Sequence, residues 1–222
     1  MTTSGATTTI ALSSGPTFSF FNPAVSINAA GRVAFLSSLD AGGDGIFSGA
    51  GGATTTIALT SSPDFSSFPS GPSINASGTV AFVGRTEGSG RGVLGVFTGT
   101  GGPTLRIVPS TEPFQAIAPR ASINAAGTVA WDAVLDPGEY GTYVGNAATG
   151  QRVLHTGDPL FGSTFIFGAI GSSSLNDVGQ FAFRFSLADG RTGVAVATPV
   201  PEPSTALLLA AAGGTLLLRR LR

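Results

Sequence analysis

Short apolar segments alternate with glycine-rich turns along most of the chain, and this pattern predicts β-strands. In the first stretch the segments are 23–28 (PAVSIN), 32–39 (RVAFLSSL), 45–50 (GIFSGA) and 54–59 (TTTIAL). Val, Ile, Thr and Phe dominate these segments, while the Asn and Gly of the dividing turns tolerate the left-handed backbone that tight hairpins need. We therefore predict four antiparallel strands in this stretch.

The same pattern recurs along the chain with a period of about fifty residues. A nine-residue motif stands at 27–35 (INAAGRVAF), 74–82 (INASGTVAF), 123–131 (INAAGTVAW) and 175–183 (LNDVGQFAF), and its asparagines are 47, 49 and 52 residues apart. A second element, ATTTIAL, stands at 6–12 and identically at 53–59. Periods of this size are typical of arrays of supersecondary units that bury their faces against one another.

The second segment of each repeat is apolar at consecutive positions, which indicates that both of its faces are covered. Stacked four-stranded units like the blades of a propeller satisfy the period, the strand number and this two-faced burial. The small positions at which the next unit would approach are Ala34, Ala81, Ala130 and Ala182. The predicted fold class is all-β: a β-propeller-like array of four four-stranded repeats over residues 6–199, followed by a C-terminal transmembrane sorting helix.

The ends of the array leave its closure open. The chain begins with a lone fourth segment, Thr7–Leu12, and its last repeat stops after a third segment, Gly193–Thr198. Pairing of these two segments would complete the last unit and close a four-bladed ring. In the alternative, the four repeats are a fragment of a larger propeller.

The repeated motif resembles the N-x-x-G-x-x-A-F repeat of the choice-of-anchor tandem-repeat proteins over roughly residues 6–199. It stands at Asn28–Phe35, Asn75–Phe82, Asn124–Trp131 and Asn176–Phe183, with Trp131 in place of the phenylalanine in the third copy. The resemblance implies display at the cell surface by a sorting tail, and it implies no particular chemistry.

The end of the chain has three parts in a fixed order. A proline motif occupies 200–204 (VPEPS), an apolar segment occupies 205–218 (TALLLAAAGGTLLL), and a basic end occupies 219–222 (RRLR). A helix over the apolar segment would span about 21 Å, which is short of the roughly 30 Å hydrocarbon core, but arginine side chains reach to the headgroups. We therefore predict a membrane helix with Arg219, Arg220 and Arg222 on the cytoplasmic side.

This order resembles the PEP-CTERM sorting signal of surface proteins in exopolysaccharide-producing Gram-negative bacteria, with Pro201, Glu202 and Pro203 as its signature. The resemblance implies recognition by an exosortase, a membrane protease that cuts at or near these three residues, which are then substrate. It also implies anchoring in the inner membrane before processing and a cell-surface or extracellular location afterwards. Residues 1–10 lack the basic and apolar regions of a signal peptide, which indicates a misassigned start, a fragment or another export route.

Composition excludes several kinds of chemistry. Only 10% of the residues are charged, and the net charge is −1, so nothing predicts binding of nucleic acid. The chain has no cysteine and one histidine, which excludes thiol nucleophiles and histidine metal clusters. His155 falls in a fourth segment, away from the serines of the first segments, so we predict no catalytic site and a non-enzymatic protein.

Two candidate ligand sites remain. Asp40 and Asp44 in the run DAGGDG would offer oxygen ligands to Ca²⁺, although the run lacks the acid pattern of an EF-hand and turn chemistry alone explains it. The connection 157–172 carries Phe161, Phe165 and Phe167, which would either stack on a sugar or partner protein or seal one end of the core.

We expect a non-enzymatic binding or structural module of the cell surface or extracellular matrix, with an exosortase, the membrane, and polysaccharide or surface proteins as partners. The alternative functions are an extracellular glycan-active enzyme on a propeller scaffold and a truncated fragment of a larger propeller. The enzyme alternative requires two carboxylates roughly 5 to 9.5 Å apart in one cleft.

Overall fold

The computed structural model describes residues 5–86, 94–108, 114–135, 137–146 and 151–198, and all regular structure in these ranges is β-strand. The strands form four antiparallel sheets that follow one another along the chain. The all-β class and the four repeated units are therefore confirmed.

In the first two sheets, the first of the four predicted strands of each repeat is split into two short strands. The first sheet contains β1 (Phe18–Phe21), β2 (Ser26–Ile27), β3 (Val33–Leu39), β4 (Asp44–Gly49) and β5 (Thr55–Leu59), in the order β1-β3-β4-β5, with β2 also paired with β3. The second contains β6 (Phe65–Ser67), β7 (Ser73–Ile74), β8 (Val80–Thr86), β9 (Leu94–Gly99) and β10 (Leu105–Arg106), in the order β10-β9-β8-β6, with β7 also paired with β8.

In the other two sheets the first position is one long strand with shifts in its register. The third sheet has the order β11 (Phe114–Ile123), β12 (Val129–Leu135), β13 (Tyr140–Gly145), β14 (Gln151–His155). The fourth has the order β15 (Pro159–Leu160), β16 (Ser163–Leu175), β17 (Phe181–Leu187), β18 (Thr192–Ala197). The short β15 pairs with the start of β16, on the side opposite to β17.

The motif forms the predicted hairpin turn between the first and second strand positions. In the first copy, the Asn28 N–H donates to the Arg32 carbonyl and the Gly31 N–H donates to the Asn28 carbonyl, both at 3.0 Å. Gly31 has a φ of 76°, and the corresponding glycines of the other copies have φ between 79° and 86°. Side chains with a Cβ rarely adopt this backbone, which explains the glycine of the motif.

Neighbouring sheets stack face to face, as the two-faced apolar segments predict. One face of the first sheet packs Ala34 and Leu36 against Phe65 and Phe82 of the second sheet. The second packs on the third, and the third on the fourth, in the same way. Ala34, Ala81 and Ala130 are completely buried at these contacts, which confirms three of the predicted small positions. The fourth, Ala182, is exposed because its face of the fourth sheet is uncovered by described residues.

In the described chain, the N-terminal segment does not pair with β18, so the structure does not contain the closed four-bladed ring that was one of the two alternatives. Residues 5–12 form no strand, and Ile10 packs against the cluster of Phe18, Phe35 and Phe47 in the first sheet. Ile10 lies over Gly49, just as Ile57 of β5 lies over Gly99 of the second sheet. The segment therefore covers the first sheet at the place that the fourth strand of a preceding unit occupies elsewhere in the array.

The part of the chain that the structure describes contains no helix able to cross a membrane. The predicted sorting segment, 200–222, lies outside the described residues, and with it Pro201, Glu202, Pro203, Arg219, Arg220 and Arg222.

Candidate functional site

The asparagines of the motif make two sets of hydrogen bonds. Within its own turn, Asn75 accepts at Oδ1 from the Thr79 N–H at 2.9 Å. Toward the neighbouring sheet, its Nδ2 donates to the Asn124 carbonyl at 3.0 Å. The same outward bond joins Asn28 to Asn75 at 2.9 Å and Asn124 to Asn176 at 3.2 Å. These three bonds form a line across all four sheets, which we call the asparagine ladder.

In the first three copies, the serine just before the motif makes a second hydrogen bond between sheets. Its hydroxyl oxygen accepts from a backbone N–H of the next sheet. The pairs are Ser26 with Ile74 at 3.2 Å, Ser73 with Ile123 at 3.4 Å and Ser122 with Leu175 at 3.0 Å. Each junction between sheets therefore contains one asparagine bond and one serine bond, and the repeated polar side chains serve to join the units.

Neither set of bonds closes into a circle in one chain. In the fourth sheet, Asn176 Nδ2 donates to Gln180 Oε1 of its own turn at 3.1 Å, and Ser174 Oγ donates to the Gly171 carbonyl at 2.8 Å. At the other end, no side chain of the described residues bonds to the Asn28 carbonyl. The inter-sheet bonds thus have a donor end and an acceptor end.

His155 lies in the fourth strand of its sheet, as predicted. Its Nε2 is 3.1 Å from Glu139 Oε2, and its backbone N–H donates to the Asp158 carboxylate at 2.8 Å. The serines of the inter-sheet bonds lie in the first strand position of their sheets. In the sheet of His155, this position is β11, at the edge opposite to β14.

An aspartate that the sequence analysis did not identify as a candidate is buried between the third and fourth sheets. Asp132 lies in β12 at the position that Leu36 and Val83 occupy in the first two sheets, and it is 2% exposed. Its Oδ1 accepts from Thr142 Oγ1 at 2.7 Å, and its Oδ2 accepts from the Ile170 N–H at 2.9 Å. A signal was present in the sequence, because this is an acid inside an otherwise apolar second segment.

Burial dominates the electrostatics of this aspartate. Desolvation raises the pKa of the Asp132 carboxyl, and the hydrogen bonds from Ile170, Tyr140 and Thr142 partly oppose that rise. The pKa of the Tyr140 phenol is also raised, first by burial and then by the negative charge and hydrogen bond of Asp132. Tyr140 therefore remains a protonated donor, and Asp132 holds its proton to a higher pH than an exposed aspartate does.

An open cleft of about 310 Å³ adjoins Asp132 between the third and fourth sheets. Arg120, Asp132 and Tyr140 supply its polar lining, and Phe167 and Ile170 are among its apolar residues. This volume lies at the lower end of the roughly 300 to 1,000 Å³ typical of small-molecule sites. We call it the junction cleft, and it is the place where a titratable group, a cation and an aromatic ring meet.

The prediction of one aromatic loop is wrong, because most of the segment is strand β16 and its three phenylalanine rings lie in different places. Phe165 is completely buried in the core of the fourth sheet, which matches the core-sealing alternative. Phe167 is partly exposed at the junction cleft, with its ring 4.7 Å from that of Tyr140. Phe161 has a φ of 51° and lines a different pocket, of about 480 Å³, together with Phe185 and Arg191.

The candidate calcium residues lie in a turn that accounts for them without a ligand. Asp44 begins β4, and its Oδ1 accepts from Ser38 Oγ at 2.7 Å. Asp40 is exposed in the turn before it, where Gly42 and Gly43 have φ of 88° and 80°. Within the described ranges, no three His, Cys, Asp or Glu residues are grouped so that they could hold a metal ion.

Comparison with known proteins identifies a family of unknown function. No curated protein and no solved structure matches the chain. Residues 3–174 and 169–207 match DUF7453, a family of unknown function, and these ranges include all four copies of the motif. Since the match extends over far more than half of the sequence, the chain belongs to the DUF7453 family.

Proposed function

We propose that this chain is an exported cell-surface or extracellular-matrix protein whose repeat array acts as a non-enzymatic binding or structural module. The observation that carries the proposal is the use of the repeated polar residues. The asparagine and serine of the first three repeats form hydrogen bonds to the next sheet, at distances of 2.9 to 3.4 Å. Polar groups engaged in this way build a scaffold and leave its outer surfaces for partners.

The export route in this proposal rests on the C-terminal sequence. The order of proline motif, apolar segment and arginines at 200–222 is the basis for proposing an exosortase as the processing enzyme. In this scheme the apolar segment holds the protein in the inner membrane until cleavage. The mature array then reaches the cell surface or the medium.

Replacement of Pro201, Glu202 and Pro203 by alanine tests this route. In a host that has an exosortase, the triple variant should stay unprocessed in the membrane fraction, whereas the wild type is released. Pro199→Ala is the matched control, because it removes a proline two residues before the motif. Release of the triple variant to the wild-type level would refute the route, as would retention of the Pro199→Ala control.

A binding role is supported by the pocket at Phe161. Phe161 is 58% exposed, its ring is 5.2 Å from that of Phe185, and Arg191 Nη2 donates to the Phe161 carbonyl at 2.8 Å. Exposed aromatic rings stack on the apolar faces of sugars, so the expected ligand is polysaccharide. Phe161→Ala should weaken retention on immobilised exopolysaccharide, while Phe20→Ala, which removes a similarly exposed ring, should not.

The enzyme alternative is favoured by one observation, the buried Asp132 beside the junction cleft. Burial raises the pKa of this carboxyl, as it does in the general acids of glycosidases. A glycosidase also needs a second carboxylate roughly 5 to 9.5 Å away, and Asp132 is the single acid among the described residues that line the cleft. Release of reducing ends from a glycan by the wild type, and its loss in Asp132→Asn, would favour the enzyme over the module.

A further inference from the structure

The fourth sheet ends the array with an uncovered apolar face. Val194 and Val196 of β18 are 78% and 63% exposed, and they pair with Arg184 and Ala182 of β17, which are exposed on the same face. The equivalent face of each other sheet is buried by the next sheet. The exposed face of β18 therefore has the apolar side chains of a core strand, but no described sheet packs on it.

The fourth sheet also lacks the fourth strand of the repeat. In the first sheet, the third strand β4 is paired with β5, and Ser48 lies opposite Thr55. In the fourth sheet, the third strand β18 is the last strand, so its outer edge has no partner among the described strands. Val196 occupies the position of Ser48, because it lies opposite Ala182 as Ser48 lies opposite Ala34.

The first sheet has the complementary deficiencies at the other end. Ile27 is 67% exposed, whereas Ile74 and Ile123 at the same position are buried under the preceding sheet. The antiparallel register with β3 turns the Ile27 N–H away from that strand, as expected for a residue of a non-hydrogen-bonded pair. That N–H and the Asn28 carbonyl are the two groups that a preceding serine and asparagine would engage.

The N-terminal segment supplies the missing strand in sequence. Residues 6–12 are identical to 53–59, which include all of β5, so Thr8 corresponds to Thr55. The segment also lies in the matching place, since Thr8 touches Gly51 as Thr55 touches Gly101. If the fourth sheet of another copy stacked on the first sheet, residues 7–12 would therefore lie where that fourth sheet lacks its last strand.

We propose that copies of this chain associate end to end, with the fourth sheet of one copy stacked on the first sheet of the next. Asn176 and Ser174 of the first copy then bond to the Asn28 carbonyl and the Ile27 N–H of the second. Residues 7–12 of the second copy pair with β18 of the first. A contact of this heterologous kind makes a ring where the rotation closes and a filament where it does not.

Cysteine cross-linking tests the register of this contact, because the natural chain has no cysteine. Facing residues of paired strands come close enough for a disulfide. In the full chain kept in detergent, the Thr8→Cys/Val196→Cys double variant should oxidise to covalent dimers and larger species. Ser48→Cys/Thr55→Cys is the matched control, since these residues face each other within one chain and should form an intramolecular bond.

The other results of that experiment contradict the proposal. Absence of cross-links in the double variant, alongside oxidation of the control, excludes the contact. An intramolecular bond in the double variant indicates a ring closed within one chain. Dimers formed equally by either single variant indicate contact between like ends.

Sedimentation of the full chain in detergent tests the stacked face independently. Ala182→Trp places a large ring at the exposed small position and should weaken association roughly tenfold or more, because its counterparts are completely buried at the other junctions. Leu105→Trp, at an exposed position on the edge of the second sheet, should associate as the wild type does. Equal association of both variants, or a wild type that stays monomeric at every concentration, would overturn the proposal. These results do not depend on export, so they separate this proposal from the proposed function.

Discussion

Replacement of Asn75 by alanine tests whether the asparagine ladder holds the sheets together. Asn75 is 4% exposed, and its side chain joins its own turn to the next sheet. Alanine removes the bond of Nδ2 to the Asn124 carbonyl at 3.0 Å and the bond from the Thr79 N–H to Oδ1 at 2.9 Å. It also removes the acceptor for Ser77 Oγ at 2.8 Å.

The expected loss follows from the burial of these groups. Each intramolecular hydrogen bond contributes about 1 kcal/mol net, and a buried group left without a partner costs about 1 to 3 kcal/mol. The Asn124 carbonyl keeps the bond from the Gly127 N–H at 3.0 Å, so the penalty falls mainly on the Thr79 N–H. We expect Asn75→Ala to lower the free energy of unfolding by about 2 to 4 kcal/mol.

Asn176→Ala is the matched control, because Asn176 has the same place in the last motif but no sheet follows it among the described residues. Its bonds, from the Val178 and Gln180 N–H groups and to Gln180 Oε1, are all exposed. We expect a loss of about 0.5 to 1 kcal/mol.

Urea unfolding followed by Trp131 fluorescence measures these differences. Trp131 is the single tryptophan, and it lies completely buried in the cluster between the second and third sheets, which the Asn75 to Asn124 bond spans. Losses for Asn75→Ala and Asn176→Ala that agree within about 0.5 kcal/mol, less than the net value of one bond, would refute the ladder as a source of stability. The motif asparagine would then act through its turn alone.

Three further predictions follow from single positions. Gly78→Val should destabilise by about 1 to 3 kcal/mol, since its φ is 86°, whereas Gly102→Val in open space with ordinary φ should be nearly neutral; urea unfolding compares them. Asp132→Asn should gain stability relative to the wild type as pH rises from about 4 to 7, because the native wild type retains a proton at a pH where its unfolded state has lost it; unfolding across that range checks this change with pH. Ile10→Asp should speed amide hydrogen exchange in β3 and β4 and leave β12 and β13 of the third sheet unchanged, because Ile10 packs on the first sheet; equally faster exchange in β12 would contradict this.

The hairpins and the stacking could be predicted because their causes are local. An asparagine followed three residues later by a glycine specifies a turn that needs positive φ, and the glycine of each motif copy has it. The consecutive apolar residues Val80–Val83 indicate two covered faces, and all four are buried. These properties depend on a few neighbouring residues, so the sequence pattern contains them.

The bonds between sheets could not be predicted in the same way. An asparagine offers both an acceptor and a donor, and the turn uses only the acceptor. The partner of the donor depends on the offset between stacked sheets, which places Asn124 opposite Asn75 although they are 49 residues apart. Asp132 illustrates the same limit, because its partner Ile170 lies 38 residues away on another sheet.

The loop predicted at 157–172 was wrong for a related reason. Its glycines and serines are typical of connections, but Ser163–Leu175 is one strand of 13 residues with a shift in register between Ile170 and Leu175. Residues two apart in a regular strand share a face, but a second shift in register lies between Phe165 and Phe167. This bulge turns the two rings to different faces, so Phe165 enters the core and Phe167 reaches the junction cleft. Composition could place the rings in one segment but could not assign their sides.

The identical segments 6–12 and 53–59 show most directly why position in the array decides structure. Five residues of the second segment are a strand, since β4 offers its edge to residues 55–59 and Ile57 is buried. The first segment follows no third strand in the described chain, so residues 5–12 pack on the first sheet without pairing, and Ile10 is only half-buried. The hydrogen-bonding groups of an extended segment require partners, and within the sheets those partners are strand edges. The same seven-residue sequence therefore forms a strand where a strand edge is available, and it packs as an unpaired segment where none is. The outer edge of β18 has no partner among the described strands, so residues 7–12 would form a strand if they paired with it.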